Sequence, residues 1–122
     1  MNLNLKGKNV LITGSSRGIG LGIAQQFAEE GCNVVLNGRA ETSHEALASI
    51  PGSQYVAGDG CTEEGAKNVV NEAVKIFGSL DVVVCNVGSG VSVKPGQETF
   101  AEWHKSFSVN FFSTTCTVEA AN

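Results

Sequence analysis

Apolar and polar positions along this chain alternate in blocks that predict strands followed by helices. Four short apolar runs have the length of β-strands, at about 9–13, 33–37, 54–57 and 81–85. Two segments between them repeat apolar residues at steps of three and four and are predicted helices, at about 19–30 and 62–77. A third helix is predicted at about 43–48 from a cap residue followed by good helix formers. Because strands joined by helices run parallel, the pattern predicts an α/β fold with an open, doubly wound parallel sheet.

The last quarter of the chain predicts one more helix, which is unusually aromatic. Thr99 and Glu102 have the spacing of a capping box. The apolar residues that follow keep helical spacing: Phe100, Trp103, Phe107, Phe111 and Val118. Such a stripe favours packing in the core or against a partner over contact with a cofactor.

The run 81–85 does not alternate apolar with polar residues, which predicts a strand buried on both faces.

The first strand is followed by a glycine-rich segment, Thr-Gly-Ser-Ser-Arg-Gly-Ile-Gly at residues 13–20. A strand, a glycine turn, a helix and a second strand in this order are typical of a dinucleotide site. The unpaired amides and dipole at the helix N-terminus favour an anion, and glycines let a pyrophosphate approach the backbone. The alternative is a plain strand–turn–helix unit in which the glycines serve packing alone.

The segment 13–20 resembles the cofactor motif of the short-chain dehydrogenase/reductase family. Asp59, the triplet Asn86-Val87-Gly88 and Asn110 fall, in order, where that family has an adenine contact, an Asn-Ala-Gly turn and a helix asparagine. The resemblance covers nearly the whole chain but only the first half of the family's domain. It implies a Rossmann-like dinucleotide-binding domain over residues 1–122, incomplete at the carboxyl end, with about four strands in the order 3-2-1-4.

The resemblance also implies a set of site residues. Cofactor binding is expected at Gly14, Ser15, Ser16, Arg17, Gly18, Ile19, Gly20, Arg39, Asp59, Gly60, Asn86 and Gly88. Asn110 corresponds to the family's catalytic asparagine, which holds the water or lysine of a proton relay. The alternative is that Asn110 forms a local hydrogen bond that kinks the helix. Asp59 contacts adenine in one interpretation and is an ordinary turn aspartate in the other. Valine in place of alanine at residue 87 departs from the family pattern.

The end of the second strand determines which cofactor is expected. A site for NAD needs a carboxylate there to accept hydrogen bonds from the ribose 2′-hydroxyl, but the sequence is Leu-Asn-Gly-Arg at residues 36–39. Arg39 and Arg17 could instead pair with a 2′-phosphate, at positions where NADP-preferring family members have basic residues. Either arginine alone could be a solvated surface charge. Together, and without the acid, they favour NADP over NAD.

The family's catalytic tyrosine and lysine are missing from this sequence. Hydride transfer in the family uses a Tyr-x-x-x-Lys pair with a serine before it. The only tyrosine in this chain is Tyr55, and the residue four positions later is Asp59 instead of lysine. We therefore expect the NADP-binding half of an enzyme that oxidises or reduces an alcohol/carbonyl pair, inactive by itself. The alternative is a non-catalytic nucleotide-binding or assembly module from a shortened gene. Continuation of the source DNA in frame to a Tyr-x-x-x-Lys would decide between them.

Composition narrows the possible partners and location. Of 122 residues, 42% are hydrophobic and 16% charged, and the net charge of −4 includes no basic cluster, so neither nucleic acid nor an anionic membrane is an expected partner. With no signal-peptide pattern, a cytoplasmic location is expected. Four scattered cysteines predict no metal site but small buried side chains in a reducing compartment: Cys32, Cys61, Cys85 and Cys116. An unpaired fourth strand and the aromatic helix predict a homo-oligomer.

Overall fold

The computed structural model describes residues 3–122, in which strands and helices alternate as the sequence predicts. The strands are β1 (Asn9–Ile12), β2 (Asn33–Gly38), β3 (Gln54–Ala57) and β4 (Val82–Val84). The first three helices are α1 (Gly18–Glu29), α2 (His44–Ser49) and α3 (Glu63–Phe77). Each of these elements lies within two residues of its predicted bounds.

The four strands form one parallel sheet in the order β3-β2-β1-β4, so the expected strand order is confirmed. In the register, Val10 of β1 is paired with Val34 of β2 on one side and with Val82 of β4 on the other. Strand order reverses between β1 and β4, and ligands of open α/β sheets bind at the carboxyl ends of the strands beside such a reversal. The fold therefore places the glycine turn after β1 at the expected ligand-binding edge.

The core has two layers, one on each face of the sheet. On one face, Val10, Ile12 and Leu36 pack against α1 and α2. On the other, Leu11 and Val35 pack against α3. Because neighbouring residues of a strand point to opposite faces, the continuous apolar runs of β1 and β2 fill both layers.

Strand β4 departs from the prediction of a strand buried on both faces. Val82, Val83 and Val84 are only half-buried. The reason is that β4 lies at the edge of the sheet, so its outer side has no neighbouring strand among the described residues. Its side chains therefore contact the core less fully than those of β1.

The predicted last helix is divided into three parts. Helix α4 (Phe100–Phe107) begins at Thr99, whose hydroxyl caps the Glu102 amide; a π-helical turn (Ser108–Phe112) follows, and then α5 (Ser113–Ala121). Helix α5 packs against α3 and buries Ser113 and Thr117.

The aromatic side chains of this region are not part of the core. Phe100 is 85% exposed and Trp103 is 57% exposed, and Phe107, Phe111 and Phe112 are also exposed. Packing inside this chain is therefore the wrong interpretation of the stripe. The cysteines differ from expectation in degree, since all four are half-buried free thiols.

Two structural absences concern the described residues 3–122. No helix there is both long enough and apolar enough to cross a membrane. No three potential metal ligands among histidine, cysteine, aspartate and glutamate are grouped there.

Candidate functional site

A cleft of about 1040 Å³ opens at the carboxyl edge of the sheet. Its walls are the turns that follow β1, β2, β3 and β4, together with α4 and the π-helical turn. The predicted site residues that line it are Gly14, Ser16, Arg17, Gly18, Arg39, Asp59, Gly60, Asn86, Gly88 and Asn110. Residues far apart in the sequence thus meet in one cavity that is large enough for a dinucleotide.

Three predicted residues lie outside the cleft wall. Ser15 is fully buried. Its hydroxyl donates to the Ile12 carbonyl (2.6 Å) and accepts from the backbone N–H of Asn37 (2.9 Å). Ile19 is 78% exposed, and Gly20 is buried against the glycine turn. The side chain of Ser15 therefore fixes the turn from inside the protein.

The glycine turn fits an anion at the N-terminus of α1. Gly14 and Gly18 have φ angles of 60° and 61°, a left-handed backbone conformation that residues other than glycine rarely adopt. A Cβ on Gly18 would point into open space of the cleft, whereas one on Gly20 would collide with the Gly14 carbonyl oxygen and the Asn86 side chain. No side chain caps this helix among the described residues, so its first amides are available to a phosphate oxygen.

Asn37, which the sequence motif does not single out, ties three parts of the site together. It is 2% exposed, and its Oδ1 accepts from the Gly14 amide (3.1 Å). Its Nδ2 donates to the Val56 carbonyl (2.9 Å) and the Gly58 carbonyl (3.3 Å). The glycine turn is thereby linked through β2 to the turn after β3.

The two predicted phosphate-binding arginines both line the cleft. Arg17 precedes α1 and Arg39 follows β2, and both are exposed cleft residues. Neither forms a salt bridge with any carboxylate in the described part of the chain. Both guanidinium groups therefore remain available to an anionic ligand.

The turn after β3 brings a carboxylate and a thiol to the cleft. Asp59 Oδ1 accepts from the Cys61 amide (2.9 Å), which is the geometry of an aspartate turn. Burial, followed by the hydrogen bond and charge of Asp59, raises the pKa of the Cys61 thiol to about 11. This thiol is protonated at neutral pH and is a weak nucleophile there.

The turn after β4 is held from two sides. Asn86 Nδ2 donates to the Gly14 carbonyl (3.0 Å), and the Val87 side chain lies against Gly14. From the other side, Asn110 Oδ1 accepts from the Ser89 amide (2.8 Å) while its Nδ2 donates to the Ser89 carbonyl (3.1 Å). The extra bulk of valine at residue 87 is accommodated beside the glycine turn.

Asn110 is exposed at the wall of the cleft. Its Nδ2 also donates to the Ser106 carbonyl (3.0 Å), one turn earlier, and the residue lies in the π-helical turn. The local hydrogen bond and the distorted helix of the structural interpretation are therefore both present. The side chain cannot titrate, so any part it has in proton transfer depends on other groups.

Known proteins that resemble this chain are oxidoreductases. The family model described as short chain dehydrogenase matches residues 8–122. The chain is 39% identical over 122 residues to an NADP-dependent (R)-specific alcohol dehydrogenase of Lentilactobacillus kefiri, covering 93% of this chain and 48% of that protein. It is 46% identical over 88 residues to glucose 1-dehydrogenase of Gluconobacter oxydans, covering 67% of this chain and 33% of that protein.

Solved structures with the same fold include complexes with both nicotinamide cofactors. L-sorbose reductase of Gluconobacter frateurii, complexed with NADPH and L-sorbose, superimposes with a TM-score of 0.91 at 33% identity, over 99% of this chain and 48% of that one. An NADH-dependent reductase complexed with NAD also gives a TM-score of 0.91, at 25% identity, over 99% of this chain and 53% of that one. The chain spans at most about half the length of these relatives.

Proposed function

Because the chain belongs to the short chain dehydrogenase family, we propose that it is the NADP-binding half of an oxidoreductase that interconverts an alcohol and a carbonyl compound. The family binds nicotinamide dinucleotides, and the described cleft has the size and the anion-binding turn that such a ligand needs. When bound, the cofactor supplies or accepts the hydride. The residues of this chain bind it and orient it.

The observation that supports NADP is the end of β2, where a glycine is followed by an arginine that forms no salt bridge within residues 3–122. Gly38 stands where NAD sites have a ribose-binding acid, and Arg39 and Arg17 both line the cleft. A guanidinium forms charge-assisted hydrogen bonds with a phosphate, whereas a ribose hydroxyl offers no charge. Relatives with NADPH and with NAD share the fold, so the preference rests on these side chains.

The other predicted site residues have separate parts in this proposal. The amides at the start of α1, in the glycine turn 13–20, hold the pyrophosphate. Asp59 and Gly60 contact the adenine, and Asn86 and Gly88 form the wall beside the nicotinamide ribose.

Asn110 is the family's helix asparagine in this proposal, and it positions the turn after β4 through Ser89. The proton donor is the tyrosine of a Tyr-x-x-x-Lys pair, which is absent from these 122 residues. Catalysis therefore needs a proton donor that this chain does not itself supply. We further propose that the protein works in the cytoplasm as a homo-oligomer.

Titration calorimetry with NADPH and NADH tests the cofactor preference. We expect tighter binding of NADPH, and we expect Arg39→Asp to weaken NADPH binding by at least about tenfold because it replaces an attraction with a repulsion. Lys75→Asp makes the same charge change on α3, outside the cleft, and should leave both affinities unchanged. Equal affinity of the wild-type chain for the two cofactors would contradict the proposal.

A further inference from the structure

The end of β2 contains a close approach that the glycine motif does not explain. Gly38 is the last residue of β2 and is buried. A Cβ built on it would lie 2.6 Å from the Tyr55 hydroxyl oxygen and 3.2 Å from Ser16 Oγ. No side chain fits at residue 38 while Tyr55 stays where it is, since real Cβ contacts are essentially never shorter than 3.0 Å.

Tyr55 is held in this position by the sheet and by a hydrogen bond. In the parallel pairing of β2 with β3 it is the partner of Leu36, two residues before Gly38. Its hydroxyl passes over Gly38 and donates to the Ala40 carbonyl (2.8 Å). Moving the phenol away from Gly38 would therefore break the bond that ties the turn after β2 to β3.

Residue 38 also stands at a position that matters for the choice between the two cofactors in dinucleotide sites. It lies about twenty residues after the glycine turn, where dinucleotide sites for NAD have their ribose-binding acid. Ala40, which Tyr55 holds, directly follows Arg39. The Tyr55 phenol thus occupies the space that an acidic side chain at residue 38 would need, and it bonds to the turn that carries Arg39.

We propose that Tyr55 is a specificity-determining residue of the dinucleotide site, which excludes an acid at residue 38 and holds the Arg39 turn for a 2′-phosphate. The proposal rests on the proposed function. It adds that packing at residue 38, as well as charge, sets the preference. An acid introduced at residue 38 by itself cannot adopt the ribose-binding position. Removal of the Tyr55 hydroxyl relieves the shortest contact of its Cβ and leaves Ser16 Oγ at 3.2 Å as the next one.

A set of three variants tests the effect on cofactor choice: Gly38→Asp, Tyr55→Phe and the double variant. Affinities for NADPH and NADH are measured by calorimetry. Gly38→Asp should lose NADPH binding without gaining NADH binding. Tyr55→Phe should weaken NADPH binding by roughly fivefold, because the Arg39 turn loses its hydrogen bond. The double variant should bind NADH at least tenfold more tightly than Gly38→Asp does.

A second set of variants tests the packing without any cofactor. Gly38→Ala should lower the melting temperature, and combination with Tyr55→Phe should recover part of the loss. Gly22→Ala is the matched control, because a Cβ there meets nothing within 4 Å in α1. It should show no coupling to Tyr55→Phe. Circular dichroism of each variant confirms that it is folded before its affinity is compared.

Two results would overturn the inference. One is a Gly38→Asp variant that binds NADH as tightly as the double variant does. The other is a Gly38→Ala substitution that lowers the melting temperature by the same amount whether residue 55 is Tyr or Phe. A wild-type chain that binds neither dinucleotide would instead overturn the proposed function and the specificity role with it, and the melting temperatures would then decide the packing relation alone.

Discussion

At the scale of single residues, the most consequential side chain for the shape of the cleft is Asn37. Its amide satisfies the Gly14 N–H and two carbonyl groups, those of Val56 and Gly58, all close to the carboxyl edge of the sheet. The residue is almost completely buried, so water does not replace these bonds when the amide is removed. Its loss should affect stability and the geometry of both turns.

We expect Asn37→Ala to lower the free energy of unfolding by about 1–3 kcal/mol, the usual cost of leaving a buried polar group without a partner. Urea denaturation followed by circular dichroism measures it. Asn68→Ala is the control, since Asn68 is exposed on α3. If Asn37→Ala unfolds at the same urea concentration as the control, the amide does not hold the turns together.

The site residues that the sequence could predict are those whose role depends on local backbone and charge. The positive φ angles of Gly14 and Gly18 and the position of Arg39 after β2 follow from the motif and the strand. The roles of Asn37 and Tyr55 depend on contacts between β2 and β3, and such contacts have no local pattern. Motif membership does not reveal which way a side chain points, so the sequence does not predict that the Ser15 hydroxyl bonds to Ile12 and Asn37 inside the protein.

At the scale of elements, α3 supports the part of the cleft formed by the turn after β3. The helix begins after Thr62, whose hydroxyl accepts from the Gly65 amide (3.0 Å). A Cβ on Gly65 would collide with the Asp59 carbonyl oxygen, so the first turn of α3 packs directly against the turn after β3. The position of Asp59 therefore depends on where α3 starts.

We expect Thr62→Ala to destabilise the protein by about 1 kcal/mol, because the Gly65 amide loses its cap. Thr62→Ser keeps a hydroxyl and should stay within a few tenths of a kcal/mol of the wild type. Thermal unfolding of both variants gives the comparison. Equal melting temperatures of the alanine and serine variants would show that the cap contributes nothing to stability.

The helices after β4 show where prediction by periodicity ends. Thr99 and Glu102 predict the start of α4 correctly, since a capping box is a local pattern. The π-helical turn that interrupts the helix coincides with two hydrogen bonds between Asn110 and Ser89, which lies in a loop 21 residues away. Helical periodicity takes into account only the residues of the helix itself, so contacts with a distant loop do not enter the prediction. The sequence therefore predicts one continuous helix.

At the scale of the whole molecule, the strand order and the two-layer core agree with expectation, and the exposed surface does not. The sheet order follows from the family resemblance, and the positions of the strands from their apolar runs. Exposure of the aromatic residues could not be predicted, because a helical stripe is the same whether it faces a core, a partner or solvent. The aromatic face of α4 and the π-helical turn consists of Phe100, Trp103, Phe107, Phe111 and Phe112, of which Trp103 also lines the cleft.

The aromatic face has the properties of a protein interface. Each of its five side chains is at least 41% exposed, and Phe107, Phe111 and Phe112 contact one another at centroid distances of 5.8–6.5 Å. Soluble monomers seldom expose a continuous apolar patch of large aromatic residues, whereas interfaces are enriched in them. The edge of β4 that has no neighbouring strand among residues 3–122 is a second place where chains could associate.

We therefore expect the chain to self-associate at tens of micromolar concentration, and we expect the double variant Trp103→Glu/Phe107→Glu to be more monomeric. Two carboxylates in the middle of an apolar contact would have to be desolvated without partners, which opposes association. Leu3→Glu places a charge on another exposed apolar residue and should leave the oligomeric state unchanged. Light scattering coupled to size exclusion measures the mass of each protein. A wild-type chain that elutes as a single monomeric species would contradict the prediction, and association that persists in the double variant would point to the β4 edge.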